Sequence, residues 1–140
     1  MSTEALRKDL MGSLQEVYQL KAFSALEDLL QGETLILQYL AAHQAQEIYP
    51  SDLSRELRLS RSRITGALTS LRAKGFVEMT HDERDRRRVR VAITEEGFAL
   101  IGEKFTLLER YFDQMIDGIG VEDTTALIRI IRHCVEVMHQ

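Results

Sequence analysis

Between Gly75 and Glu95 the chain leaves the helical repeat that governs it on both sides. Val77 and Met79 alternate with Glu78 and Thr80, and Val89, Val91 and Ile93 alternate with Arg88, Arg90 and Ala92. A period of two belongs to strands with one face against a core, so these segments are expected to form a hairpin. Its connection, His81-Asp82-Glu83-Arg84-Asp85-Arg86-Arg87, is too charged to be buried and must project into water or onto a charged partner. The fold class that follows is mainly α with one small β-hairpin.

Elsewhere the apolar residues recur every three or four positions. Leu6, Leu10, Leu14, Tyr18, Ala22, Ala25 and Leu29 predict one helix over residues 3–29. At 1.5 Å per residue it would span about 40 Å, longer than so small a domain needs for its own core, so part of it is expected to pack on another subunit. Gly32 breaks the pattern, and Leu35-Ile36-Leu37 with Leu40 start a shorter helix ending near His43. Tyr49 precedes the single proline, Pro50, and is biased toward extended backbone. Ser51 is the expected cap of a helix over about Asp52 to Arg58, and Ser60 that of a second, with Ile64, Leu68 and Leu71 inward and Gly75 closing it. Beyond the hairpin, Phe98, Ile101, Phe105, Leu108, Phe112 and Met115 form an unbroken a/d seam, read as dimer packing. Gly118 and Gly120 end it. A last helix from about Glu122 carries Leu127, Ile131, Cys134 and Met138 on one stripe, where the cysteine is expected to be buried as a small hydrophobe.

The chain of 140 residues is expected to form one domain, and no apolar run approaches the roughly 18 residues of a membrane span. The start, Met1-Ser2-Thr3-Glu4, lacks the basic and apolar regions of a signal peptide, so the expected location is the cytoplasm. One cysteine excludes an internal disulfide framework. The net charge of −4 argues against a polyanionic partner only if charge is evenly spread, and it is not. Residues 51–90 hold eleven Lys or Arg against six Asp or Glu, a surplus of +5, while the flanks carry −9. A polyanion can therefore meet the basic centre while the acidic ends face away, beyond the roughly 8–10 Å over which exposed charges act.

Helix, short turn, helix and hairpin is the order of a winged helix-turn-helix, whose second helix enters a major groove of DNA. Phosphates are met by Arg, Lys, hydroxyls and helix N-termini, and guanine edges by Arg; Ser60, Arg61, Ser62 and Arg63 supply both at one helix start. The segment from Asp82 to Gly97, DERDRRRVRVAITEEG, resembles the wing of the MarR family of bacterial transcription regulators and the opening of the long helix that follows it. Leu59 to Thr65 and Leu71 to Val77 resemble that family's recognition helix and turn, and Leu29 to Leu40 matches more loosely, with Glu33 where many members have Gln.

The resemblance implies a homodimer with intertwined first and last helices, residues 1–30 and 95–140, around a winged lobe over 33–94. It implies that Ser60, Arg61, Ser62, Arg63 and Thr65 face the major groove of a pseudo-palindromic double-stranded operator. Arg87 would enter the minor groove from the wing, held by an ion pair with Asp85; at Arg88 the chain departs from the family's pattern, and that extra arginine is expected to add a backbone contact. It implies a repressor tuned by a small-molecule effector seated where the dimer helices meet each lobe. Tyr18, Phe23 and Tyr39 are candidates to line that site and equally candidates for core.

Two other readings stay open: a protein-interaction dimer of the same fold that reads no DNA, and a metal-responsive regulator. His133, Glu136 and His139 step along the last helix, but the histidines stand about 9 Å apart in rise and drift round the axis, which suits one zinc ion poorly. No nucleophile with its base, no phosphate loop and no paired metal ligands are visible, so neither an enzyme, a resident metal nor a cofactor is expected.

Overall fold

The structure, a computed structural model, describes residues 1–139. Among them the order is α1 (Thr3–Tyr18), α2 (Lys21–Leu29), α3 (Gly32–Ala42), α4 (Pro50–Leu57), α5 (Arg61–Ala73), β1 (Val77–His81), β2 (Val89–Ile93) and α6 (Glu95–Met138). The hairpin is antiparallel, with Val77 opposite Ile93, Met79 opposite Val91 and His81 opposite Val89. Val91 also donates its N–H to the Ile48 carbonyl at 2.8 Å, so the extended piece before α4 lies along the free edge of β2.

One apolar cluster holds these elements together. Ile36, Leu37 and Leu40 of α3, Leu53 of α4, Ile64, Leu68 and Leu71 of α5, Val77, Val91 and Ile101 are all buried in it, with Leu29 and Ile48. Each large side chain in such a core contributes about 1.5–3 kcal/mol through removal from water.

Four expectations are corrected. The helix expected over 3–29 is two helices, because the backbone turns extended at Leu20 (φ −72°, ψ 140°). The break lets α2 bury Ala22 and Leu29, while α1 has no buried residue. Neither glycine nor proline marks it. Ser51 is not the cap of α4: Tyr49 is, with Pro50 in the first turn, and the Asp52 carboxylate accepts the Tyr49 N–H at 2.9 Å. Proline suits that first position because its φ is preset and its missing N–H would have been unpaired there. The Phe98 to Met115 seam is not free for a partner along its whole length. Ile101 is buried in the core of its own lobe, and Phe105 and Leu108 pack on the same cluster, because the helical repeat fixes which face is apolar but not what covers it. Cys134 is exposed, as is the stripe it shares with Leu127, Ile131 and Met138.

Two glycines fix the path of α6. A Cβ at Gly97 would collide with the Phe76 carbonyl oxygen and with Ile93 Cγ1, so only glycine lets the first turn of α6 lie against the strand ends. Gly120 has φ 91° and ψ 165°, which splits the long helix into rods over 95–119 and 121–138, as the glycines at 118 and 120 predict. Thr94 caps the first rod: its hydroxyl accepts the Gly97 N–H at 3.1 Å and donates to the Gly75 carbonyl at 2.7 Å.

Candidate nucleic-acid interface

The two helices of the motif, α4 and α5, are joined by Arg58-Leu59-Ser60. Arg58 ends α4 in the left-handed region (φ 54°, ψ 43°), a conformation costing a non-glycine residue about 1–2 kcal/mol. The turn is tied down nonetheless, since Ser54 donates its hydroxyl to the Leu59 carbonyl at 2.5 Å. Ser60 then caps α5, its hydroxyl accepting the Arg63 N–H at 3.1 Å. With Ile64, Leu68 and Leu71 each 1% exposed, α5 is fixed in rotation and Arg61, Ser62, Arg63 and Thr65 are all left on the solvent face. The N–H groups of the first turn that the Ser60 cap leaves unpaired, together with two guanidinium groups, make a site suited to phosphate.

Gly66 and Thr69 share that exposed face. The helical spacing from Ser62 through Thr65 and Gly66 to Thr69 was the signal that finds them.

The wing tip is folded by its own side chains. One Asp85 oxygen accepts both the N–H and the Nε–H of Arg87, each at 3.1 Å, which directs an Arg87 side chain that is 91% exposed. His81 Nδ1 lies 2.8 Å from the Arg86 carbonyl, and Arg88 donates its N–H to the Asp85 carbonyl at 3.0 Å. The Arg88 guanidinium lies over the Tyr49 ring, 3.7 Å from its centroid, so its charge stays at the wing base. Among the described residues, Arg61, Arg63, Arg84 and Arg86 take part in no ion pair.

Tyr49 and Asp82 are the pair that sequence reasoning missed. The Tyr49 hydroxyl donates to Asp82 Oδ2 at 2.7 Å, and the other Asp82 oxygen accepts the Arg84 N–H at 2.9 Å. The Arg84 N–H and the Tyr49 hydroxyl hold the Asp82 carboxyl below its ordinary range, while the neighbouring Asp82 carboxylate and burial push the Tyr49 phenol up. Arg90, on the following strand, reaches Glu47 at 3.1 Å. Behind α5, Lys74 pairs with Glu33 at 2.8 Å, and that bond, with one from Ser70, lowers the Glu33 carboxyl.

Phe23 is half-buried on α2. Tyr18 is 64% exposed near the end of α1, and Tyr39 stacks on His43 at 4.1 Å between ring centroids. A groove of about 370 Å³ runs between α2 and α6, lined by Leu20, Lys21, Ala22, Tyr111, Gln114 and Met115. Among the described residues no three His, Cys, Asp or Glu side chains stand close enough to hold a metal ion, and no helix is long and apolar enough to cross a membrane.

The MarR family model matches residues 27–88, the stretch from α2 through the wing tip. The Escherichia coli HTH-type transcriptional regulator PrsX is 28% identical over 97 residues, which is 69% of this chain and 58% of PrsX. The chain thus matches a little over half the length of that relative. Its structure is similar to that of YusO from Bacillus subtilis, with a TM-score of 0.76 at 19% identity over 97% of this chain and 99% of YusO. It is also similar to a Staphylococcus aureus MepR mutant bound to an oligodeoxyribonucleotide, with a TM-score of 0.65 at 18% identity over 99% of each chain. The match to the MarR family model thus falls on the stretch that holds α5 and the wing, and the chain has the winged helix-turn-helix fold.

Proposed function

We propose that this chain is a homodimeric transcription regulator that binds a pseudo-palindromic site in double-stranded DNA, represses by occluding a promoter, and is modulated by a small-molecule effector. The observation that carries the reading is the start of α5, where Arg61 and Arg63, free of ion pairs, and the hydroxyls of Ser62 and Thr65 stand exposed on a helix whose rotation the core fixes. Arg87, directed by Asp85, supplies the flanking contact from the wing. MepR, the similar protein bound to an oligodeoxyribonucleotide, adds support for DNA as the partner.

The dimer is inferred from apolar surface that the chain does not cover itself. Leu6, Leu10, Met11, Leu14 and Tyr18 of α1 are all more than half exposed, as are Ile131, Val135 and Val137 of α6. A second copy burying both stripes would give each helix the packing that a lone amphipathic helix lacks. The same assembly would set the spacing of the two recognition helices at about one turn of DNA. An effector in the groove between α2 and α6 would favour one spacing over another by its differential affinity for the two.

The test is selection from a random double-stranded pool at two salt concentrations, with sequencing of the retained DNA. The reading predicts an enriched pseudo-palindrome whose retention falls steeply with salt. Retention of no DNA at either salt would overturn it in favour of a protein-interaction dimer.

A further inference from the structure

Tyr49 joins three parts of the winged lobe that are distant in sequence. Its backbone caps α4, with its N–H on Asp52 and its carbonyl accepting the Asp52 and Leu53 N–H groups at 2.9 and 3.2 Å. The residue is 8% exposed, and its ring lies beneath Arg88 at one end of the wing loop. Its hydroxyl meets Asp82 at the other end, and the neighbouring Ile48 carbonyl holds β2 through Val91. Asp82 is in turn the acceptor that folds the loop, through the Arg84 N–H.

The wing therefore has two kinds of restraint. The ladder between β1 and β2 holds the strands to each other, but a two-stranded hairpin alone is marginal and free to tilt. Only contacts with the helical body set its tilt. The Tyr49 side chain supplies two at the root of the loop, one a hydrogen bond to a charged group and one a cation over an aromatic face.

We infer that Tyr49 is a positioning residue for DNA binding, a buckle that fixes the tilt of the wing on the helix-turn-helix so that Arg87 and the α5 face engage one duplex together. The inference rests on the DNA-binding reading above. Tyr49 touches no DNA in this account and acts only through the wing. Arg88 is part of the buckle and holds its charge at the wing root.

The test uses Tyr49→Phe, which keeps the ring beneath Arg88 and removes only the hydroxyl, with Asp82→Asn as the variant from the other side of the same bond. The probe is a labelled mixed-sequence duplex at low salt, and hydrogen exchange of residues 82–88 is followed in the free protein. Tyr49→Phe is expected to weaken duplex binding by about tenfold, the lower end of the scale for one lost hydrogen bond to a charged group, and to speed exchange in the wing loop while leaving α3 and α5 unchanged. In an Arg87→Ala background the same change is expected to cost much less, since the buckle acts through that arginine. A merely structural role would give the same loss in both backgrounds.

Equal losses in the two backgrounds, or wing exchange unchanged in both Tyr49→Phe and Asp82→Asn, would overturn the inference. If the unmodified chain binds no duplex, the DNA-binding reading fails and the positioning role fails with it. Unchanged exchange in a chain that does bind DNA removes the buckle alone.

Discussion

The winged lobe and the outer helices both carry apolar stripes and put them to opposite use. In the lobe, Ile36, Leu53, Ile64 and Leu68 are within 1% of complete burial, and hydroxyls or carboxylates tie down its turns at Ser54, Ser60, Asp82 and Thr94. In α1 nothing is buried, and the rod over 121–138 leaves Ile128, Ile130, Ile131 and Val135 near half exposure. Polar capping is not the difference, since Ser2 caps α1 as properly as Ser60 caps α5. What differs is cover: the lobe buries its own apolar side chains, whereas α1 and the rod over 121–138 leave theirs exposed.

That contrast can be broken or sharpened by substitution. Ile131→Glu is expected to have the largest effect, because a carboxylate in a buried dimer stripe costs several kcal/mol, while on a free surface it costs within about 0.5 kcal/mol. Sedimentation reads the difference: dissociation with the lobe still folded supports the account, and no change in mass or stability removes the dimer from it. Leu68→Ala should act on the lobe instead, lowering unfolding free energy by about 2–5 kcal/mol in chemical denaturation without changing the partnership between chains. Arg63→Ala is expected to cost about 1–3 kcal/mol of DNA binding at particular base pairs, whereas Arg87→Ala weakens all sequences alike; binding to a panel of single-base variants separates the two.

The smallest effect is on acid stability. Glu33 and Asp82 have carboxyl pKa values lowered in the folded lobe, the first chiefly by its bond to Lys74 and the second chiefly by the Arg84 N–H. The unfolded chain therefore takes up their protons first as pH falls. Their stabilisation is complete above the ordinary carboxylate range and is lost as pH drops through the folded values. Glu33→Gln is expected to flatten the acid limb of a thermal unfolding profile slightly and leave neutral stability less than 1 kcal/mol changed, as suits a partly exposed pair.

The lobe was legible in the sequence because its signals are local. The alternation at Val77 and Val91, the hydroxyl of Ser60 three residues before Arg63, and Gly97 after Thr94 each report a backbone event within a few residues. The Tyr49 to Asp82 bond joins residues 33 apart and leaves no periodic trace, so neither residue stood out beyond an extended dipeptide and a charged loop. The break at Leu20 was missed for another reason: a helix can stop where tertiary burial of Ala22 and Leu29 outweighs continuing in register, with no glycine or proline to announce it. The seam over Phe98 to Met115 was found correctly as a stripe and assigned too wholly to a partner, because Ile101 and Phe105 face their own lobe.

Two copies of this lobe gripping one duplex through α5 and the wing would leave a paired footprint on it. Hydroxyl-radical footprinting of the chain on the duplex enriched by selection tests that grip most directly. The account predicts two protected segments related by the dyad of the site, centred about one helical turn apart, each flanked by minor-groove protection that disappears with Arg87→Ala. A single protected segment, or flanking protection indifferent to Arg87, would contradict it.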